Sequence, residues 1–297
     1  MILRRLFLLA ILPGLALVAF MYHMATRDPV VREAVVVAPA WPEDVLEQRI
    51  VLISDVHVAG PDMPPERLAR IVEQVNALKP DLVLFAGDFV SDKVLSTHTY
   101  EADEALVPLT DLKARLGVAA VMGNHDHWRE RDRPEDIAIA EALKAANVRV
   151  LSNEAARFGP FVVGGVDDDY TGHSDLPKTL TMMQALAGSS DPGAPPPMQI
   201  VLSHSPDIFP DMASPGNTAD AMLMLAGHTH CGQIAPPFVE PLATASKYGR
   251  RYVCGRVDED GKTLIVGAGL GTSILPLRLG AVPDMWLITV EGEEAAR

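Results

Sequence analysis

The sequence is poor in cysteine, in aromatic residues and in positive charge. Its 297 residues contain two cysteines, Cys231 and Cys254, and its 25 Lys and Arg are outnumbered by 39 Asp and Glu. Two cysteines exclude a scaffold held by many disulfides and a zinc site built from thiolates. The net charge of −14 argues against a nucleic-acid partner, because clustered Lys and Arg bind phosphate backbones. An acidic chain can still bind a phosphorylated molecule if divalent cations reverse the local charge.

The N-terminus carries a long apolar run behind two arginines. Arg4 and Arg5 precede the apolar residues 6–20, and the run continues to Met24. At ~1.5 Å per residue, about 19 helical residues span a hydrocarbon core of roughly 30 Å. We expect residues 1–25 to be an uncleaved transmembrane anchor, because no Ala-x-Ala site follows; a cleaved secretory or twin-arginine signal is the alternative. Arginines kept in the cytoplasm predict a single-pass inner-membrane protein whose remaining chain faces the periplasm or the cell exterior.

Two later segments predict irregular structure. Residues 26–48 contain three prolines and predict a linker with one short strand at residues 35–37. Residues 187–197 are too rich in glycine and proline for a helix or a strand. We interpret the second segment as a surface connection within one domain, because the strands on both sides end in polar residues that we expect to serve one site.

Strand and helix patterns alternate after residue 48. Short aliphatic or β-branched runs predict buried strands, and apolar residues at helical spacing predict helices. The expected strands are residues 49–54, 81–86, 118–122, 148–151, 158–166, 199–203, 221–226, 251–253, 262–266 and 286–290, and the expected helices are residues 64–78, 101–116 and 134–146. This alternation indicates one α/β catalytic domain over residues 49–297, with ligand-binding residues at the carboxyl ends of the strands.

Eight polar residues follow the predicted strands directly. They are Asp55, His57, Asp88, Asn124, His125, His204, His228 and His230. Carboxylate, amide and imidazole ligands without sulfur suit Mn²⁺, Fe²⁺ or Zn²⁺ better than Ca²⁺. Asp88 stands alone after Gly87, and we expect its carboxylate to bridge two cations. Such a pair clamps a phosphoryl group and stabilises the attacking and leaving oxygens of an in-line displacement.

Five blocks of this sequence resemble the calcineurin-like metallophosphoesterases. The blocks are Asp55-x-His57, Gly87-Asp88, Gly123-Asn124-His125-Asp126, His204 and Gly227-His228-x-His230, in that order. The resemblance implies a β-sandwich flanked by helices that binds two divalent cations. It implies one cation on Asp55, His57, Asp88 and His230, and a second on Asp88, Asn124, His204 and His228. It also implies that His125 contacts the substrate phosphate and protonates the leaving group, with Asp126 orienting its ring.

The residues within the blocks indicate which members of this family the sequence resembles. Phosphoprotein phosphatases carry Gly-Asp-x-x-Asp-Arg-Gly and Asn-His-Glu, which are absent here, and the soluble lipid A pathway pyrophosphatase has Arg at the position of His125. Residues 123–128, 227–233 and 269–278 look like a bacterial branch of anchored or exported small phosphoesterases, one of which hydrolyses UDP-2,3-diacylglucosamine. We expect hydrolysis of a phosphodiester or pyrophosphate, lipid-linked or nucleotide-sugar, at a membrane surface. A phosphomonoesterase of the same fold and a catalytically silent metal-binding membrane protein are the alternatives.

Several residues keep more than one interpretation. Cys231 stands where the branch usually has glycine; we expect two free buried thiols, with a disulfide to Cys254 as the alternative. Arg278 is a candidate for substrate phosphate or for a surface salt bridge. The run at residues 167–169 predicts a solvated turn, with a third cation site or a substrate-facing loop as alternatives and Asp168 as its candidate site residue. The remaining histidines are expected at the surface or behind the ligands: His23, His98, His127 and His173.

Overall fold

Two six-stranded sheets pack face to face in the computed structural model, which describes residues 2–42, 45, 47–91, 93–130, 138–188, 195–212 and 221–292. The strands are β1 (Val30–Ala38), β2 (Gln48–Ile53), β3 (Leu82–Ala86), β4 (Gly117–Val121), β5 (Val148–Val150), β6 (Glu154–Phe158), β7 (Phe161–Val166), β8 (Met198–Ser203), β9 (Ala221–Ala226), β10 (Gly255–Glu259), β11 (Lys262–Val266) and β12 (Asp284–Gly292). The helices are α1 (Ile2–Thr26), α2 (Pro65–Ala77), α3 (Ala102–Leu106), α4 (Asn124–Glu130), α5 (Ala138–Ala145), α6 (Leu176–Gly188) and α7 (Phe209–Met212).

Each sheet has a parallel centre. The first sheet runs β1-β12-β2-β3-β4-β5 and the second β10-β11-β9-β8-β7-β6. Strands β2 to β5 pair in parallel, and so do β7, β8, β9 and β11. The carboxyl ends of β2, β3 and β4 therefore lie at one edge of the first sheet. Those of β8 and β9 lie at one edge of the second.

The core has separate layers because neighbouring strand residues face opposite sides. Leu82 and Leu84 of β3 pack between the sheets, whereas Val83 and Phe85 pack outward against the helix layer. A strand buried on both faces needs a continuous hydrophobic run, as β3 has. Full burial of one such leucine contributes about 1.5–3 kcal/mol.

Most of the predicted elements are confirmed, but four predictions need correction. The predicted linker contains β1, which pairs with β12 over nine residues. The helix predicted at residues 101–116 is α3 followed by a 3₁₀ turn (Val107–Asp111), since Pro108 has no N–H to continue the α-helix. The strand predicted at residues 158–166 holds only the last residue of β6, then a turn and β7, which pairs with β6 as a hairpin. The strand predicted at residues 251–253 is wrong, because β10 begins at Gly255.

Two predictions fall partly outside the described residues. In the segment 187–197, helix α6, which the sequence analysis missed, continues to Gly188, and residues 189–194 are not described. The helix predicted at residues 134–146 is described from Ala138 as α5. Residues 134–137 lie outside the described part of the chain.

The end of α1 packs on the domain formed by the two sheets. Met21 and Ala25 are buried, and the backbone N–H of Arg278 donates to Met21 O at 3.1 Å. The Tyr22 hydroxyl donates to Pro61 O at 3.2 Å. Within the part of the chain that is described, no helix combines the length and apolar character needed to cross a membrane.

Candidate metal centre

The predicted site residues come together where the carboxyl ends of β2, β3, β4, β8 and β9 meet. Seven of the eight are buried, and His125 is half-buried. Five have positive φ angles, which side chains other than glycine rarely adopt. These five are Asp55 (48°), His57 (49°), Asp88 (59°), His228 (71°) and His230 (49°). Local strain of this kind concentrates at functional sites, where the surrounding fold has to hold it in place.

One group of ligand atoms surrounds the first candidate cation position. His57 Nε2 lies 3.2 Å from His230 Nε2, and His230 Nε2 lies 3.5 Å from Asp55 Oδ1. Asp88 Oδ2 lies 3.3 Å from His57 Nε2. The triplet Asp55, His57 and His230 could share one ion, with a ligand atom of each residue within 4.8 Å of the others.

A second group adjoins the first. His204 Nε2 lies 3.0 Å from Asn124 Oδ1 and 3.1 Å from His228 Nδ1. Asp88 Oδ2 is 3.3 Å from His204 Nε2, the same distance as from His57 Nε2. The His204 Nδ1–H donates to Ala86 O at 2.6 Å, which leaves Nε2 to face the centre. One oxygen of Asp88 therefore lies between the two groups.

The backbone packs so closely around these groups that Gly123 and Gly227 have no room for a side chain. A Cβ on Gly123 would lie 2.2 Å from Asp88 Oδ1, and one on Gly227 would lie 2.5 Å from Asp55 Oδ2. In each group, imidazole nitrogens lie about 3 Å from one another and close to carboxylate oxygens. A bound cation stabilises such an arrangement, because all of these atoms can donate lone pairs to it. The donor set and this close packing fit divalent ions.

Burial controls the protonation of the imidazole ligands. It lowers the pKa of His57 to about 4 and, with the charge of His204, lowers that of His228 to about 3, so both rings are neutral near pH 7 as metal ligation requires. Burial alone would raise the pKa of Asp88, but the charges of His204 and His57 and their hydrogen bonds lower it well below its usual value. Asp88 is therefore a carboxylate.

His204 differs from the other imidazoles. Burial lowers its pKa, but Asp88, through charge and hydrogen bond, and the charges of Asp55 and Asp168 outweigh burial and raise it to about 10. The metal-free site therefore holds a proton on His204 at neutral pH. A cation on its Nε2 has to displace that proton.

Cation binding is expected to release about one proton between pH 7 and pH 9. Since His204 is protonated below about pH 10 in the metal-free protein, the apparent affinity should rise about tenfold per pH unit in this range. Titration calorimetry with Mn²⁺ in Hepes and in Tris measures the released proton as a difference in observed enthalpy. Equal enthalpies after correction for Mn²⁺–buffer binding would contradict a protonated His204.

His125 lies beside both groups and lines a cavity that opens over them. Its ring lies 4.9 Å from the His57 ring, its Nε2 is 3.4 Å from Ser273 Oγ, and its backbone N–H donates to Asp88 Oδ1 at 2.9 Å. Asp126 contacts the backbone around Asp88. Its two oxygens accept the backbone N–H groups of Asp88, Phe89 and Gly123, each at 2.8 Å. Asp126 thus fixes the backbone around Asp88, and its orientation of the His125 imidazole stays a prediction.

Arg278 and Asp168 are buried, and neither is among the described residues that line the cavity. Arg278 is fully buried, so a surface salt bridge is wrong; its Nη2 donates to the carbonyls of Ala268, Gly269 and Gly271 and lies 3.4 Å from His230 Nδ1. Contact of Arg278 with substrate stays a prediction. Asp168 is also fully buried, so the predicted solvated turn at this residue is wrong.

The two cysteines form a disulfide, which corrects the expectation of free thiols. Cys231 has a φ of 53°, a conformation that explains why glycine suits this position. Its sulfur is bonded to Cys254 and is not available to a cation. Of the other histidines, His23, His98 and His173 are exposed as expected, and His127 is half-buried with its Nε2 2.7 Å from Asp167 Oδ1.

A cavity of about 370 Å³ opens over the two groups. Tyr170 forms part of its wall, with its ring 5.1 Å from the His228 ring. The sequence analysis singled out segments 227–233 and 269–278, which supply part of the wall, but it missed the wall residues between 234 and 245, since uncharged loop residues carry no legible pattern. The wall residues beyond the candidate ligands include Gln233, Ile234, Leu242, Ala243, Ala245, Ser273, Ile274 and Leu275.

Comparison with known proteins identifies the class. Residues 48–232 match the calcineurin-like phosphoesterase family. The chain is 30% identical over 250 residues to the uncharacterized metallophosphoesterase YkuE of Bacillus subtilis, covering 82% of this chain and 79% of that protein. The protein therefore belongs to the calcineurin-like phosphoesterase family.

Longer relatives match as well. A Caenorhabditis elegans protein named as a metallophosphoesterase is 30% identical over 95% of this chain and 56% of its own length. A Danio rerio transmembrane protein with metallophosphoesterase domain is 28% identical over 90% of this chain and 58% of its own length. The chain thus spans a little over half of these two relatives. A solved dimetal phosphatase from Danio rerio has a TM-score of 0.42 at 14% identity, over 75% of this chain and 88% of that chain.

Proposed function

We propose that the protein hydrolyses a phosphodiester or pyrophosphate with two divalent cations that share Asp88. The position of Asp88 Oδ2, 3.3 Å from an imidazole nitrogen in each group, supports this proposal most directly. The first cation position would use Asp55, His57, Asp88 and His230, and the second Asp88, Asn124, His204 and His228. With no sulfur among the ligands, Mn²⁺, Fe²⁺ or Zn²⁺ fits this set.

The chain's own groups have distinct tasks in this reaction. Bound cations would polarise the phosphoryl group and supply a nucleophile at neutral pH. His125 lies beside both groups and is half-buried at the cavity, where its imidazole can donate a proton to the leaving oxygen. Asp126 holds three backbone amides and so keeps Asp88 in its strained conformation.

The charge of the cavity wall favours a diester over a monoester. Among the described residues that line the cavity, none is Lys or Arg. A monoester carries an additional negative charge at neutral pH, which only the cations could offset here. The outer wall is apolar at Ile234, Leu242 and Ile274, which suits a substrate with an acyl or other lipid part.

We also infer attachment to a membrane through the N-terminal segment, with the catalytic domain facing the periplasm or cell exterior. The support is the run of apolar residues behind Arg4 and Arg5 and the names of vertebrate relatives as transmembrane proteins. Apolar side chains of α1 are exposed on the protein surface, where a lipid environment would cover them. They are Ile11, Leu12, Leu15, Leu17, Val18 and Phe20.

Hydrolysis of bis(p-nitrophenyl) phosphate tests the proposed reaction. We expect turnover with added Mn²⁺ and none after chelation with EDTA, and turnover should return when the cation is restored. A protein that binds two cations per chain without metal-dependent hydrolysis would support the silent metal-binding alternative instead.

If the substrate has a lipid part, Leu242→Asp should slow hydrolysis of a lipid diester more than hydrolysis of a water-soluble one. Leu242 lines the cavity and is 77% exposed, so its side chain is free to contact an acyl group of the substrate. A carboxylate in its place would put a negative charge against that acyl group. We expect the ratio of vesicle-embedded to water-soluble diester hydrolysis to fall about tenfold, as loss of one apolar contact predicts. The matched control is Val107→Asp. Val107 is an exposed apolar residue of the 3₁₀ turn, which contacts the C-terminal end of α2 and is not part of the cavity wall.

Two outcomes would contradict these inferences separately. An unchanged ratio for Leu242→Asp would argue against a lipid part that contacts this wall. If the full-length protein failed to co-float with zwitterionic vesicles, the inferred membrane attachment would be wrong, whatever the substrate.

A further inference from the structure

Asp168 is a buried carboxylate with one unpaired oxygen. Its side chain is fully buried, and Oδ2 accepts the backbone N–H of Thr171 at 2.7 Å and the Thr171 hydroxyl at 2.6 Å. Oδ1 has no hydrogen-bond partner among the residues that the structure describes. A buried carboxylate oxygen without a partner costs folding free energy, so a ligand or cation that faces it would repay that cost.

The loop that carries Asp168 is built rigidly. Asp167 accepts the backbone N–H of Asp168 at 2.8 Å, His127 Nε2 at 2.7 Å and the hydroxyl of Ser152. The backbone N–H of His173 donates to Asp168 O at 2.9 Å, and the His173 ring stacks on the His127 ring with centroids 4.1 Å apart. These contacts fix Asp168 before any ligand arrives.

This loop lies against the second group of candidate ligands. Tyr170, two residues after Asp168, places its ring 5.1 Å from the ring of His228. Strand β7 ends two residues before Asp168 and pairs in parallel with β8, and Val166 of β7 is the partner of Ser203, the residue before His204. Both histidines belong to the second cation position.

We propose that Asp168 is a positioning residue of the second cation position, facing it from just outside the inner ligands and strengthening cation binding there. This inference rests on the proposed two-cation function and adds a residue to that site. Asp168 is not among the described residues grouped closely enough to share one ion, so we place it outside the inner ligands. Its negative charge and its absence from the cavity wall disfavour contact with a substrate phosphate.

Metal counting on the full-length protein tests the proposal without an activity assay. We expect Asp168→Asn to bind the second Mn²⁺ about 10-fold to 100-fold more weakly, the usual loss when a group behind a metal ligand is replaced. Equilibrium dialysis with Mn²⁺ and elemental analysis measures both binding steps. The matched control is Asp169→Asn, since the charge of Asp169 is already offset by Lys247 Nζ at 2.8 Å.

The outcomes separate this proposal from the proposed function. Wild type and Asp169→Asn with two bound Mn²⁺, and Asp168→Asn with one at the same free concentration, would support it. Equal second-step affinities in all three proteins would overturn the role of Asp168 and leave the two-cation function intact. A wild type that binds fewer than two cations would overturn both.

Thermal unfolding distinguishes a positioning role from a merely structural one. The amide oxygen of Asn can still accept from Thr171, and the substitution removes a buried charge. Metal-free Asp168→Asn should therefore unfold at the same or a higher temperature than metal-free wild type, and added Mn²⁺ should raise its unfolding temperature less. A lower unfolding temperature without metal, together with an unchanged response to Mn²⁺, would assign Asp168 to the fold alone.

Discussion

Asp88→Asn is expected to lower hydrolysis of bis(p-nitrophenyl) phosphate by about a thousandfold, equivalent to about 4 kcal/mol. The native Oδ2 lies 3.3 Å from both His57 Nε2 and His204 Nε2, and a neutral amide cannot offset the repulsion of two cations there. Elemental analysis should show a fall from two bound cations per chain to one or fewer.

The control for this substitution lies at the other end of the same strand. Asp81 precedes β3, accepts the backbone N–H of Arg49 at 2.9 Å and pairs with Arg115 at 2.9 Å. Asp81→Asn makes the same chemical change away from the centre, so activity and metal content should stay near wild type. Two tightly bound cations in Asp88→Asn would contradict a shared carboxylate.

His125→Ala is expected to lower the rate of hydrolysis while both cations stay bound. Loss of a general acid lowers the rate about 100-fold to 10,000-fold when the leaving group is a poorly acidic alcohol. The loss should be much smaller for p-nitrophenol, which leaves without full protonation. The backbone N–H of residue 125, which donates to Asp88 Oδ1, is retained in this variant. Steady-state kinetics with a pair of aryl and alkyl diesters measures the difference.

Metal content decides between two roles for His125. His57, Asp88 and His125 could themselves share an ion, since a ligand atom of each lies within 4.8 Å of the others. Two cations in His125→Ala, with a strong dependence on the leaving group, would support the general acid. Loss of one cation with equal effects on both substrates would assign His125 as a ligand instead.

The strands that lead into the site were predictable because their patterns are local. The strands at β3, β8, β9 and β11 were predicted to within one residue at each end, since buried parallel strands need unbroken aliphatic runs. β1 was missed over most of its length. It lies at the edge of its sheet, and its exposed side chains mix with the buried ones.

Residue chemistry was also easier to predict than residue position. The sequence placed eight polar residues after strands, and the structure brings all eight together. It did not predict that Asp126 would turn to backbone amides, or that Arg278 would be buried against carbonyls of its own loop. The contacts of Asp126 with Asp88 and Phe89 join residues 38 and 37 positions apart, and those of Arg278 depend on how its loop folds back, so no local pattern encodes them.

The sequence by itself indicated the family, the candidate ligands and the order along the chain of the strands that carry them, because motif spacing and aliphatic runs are properties of short segments. Only the tertiary structure decided that Cys231 bonds to Cys254, that Asp168 is buried with one oxygen unpaired among the described residues, and that no Lys or Arg is among the described residues of the cavity wall. These features depend on which loops pack together once the two sheets close. Burial and neighbouring charges then set the properties of each side chain.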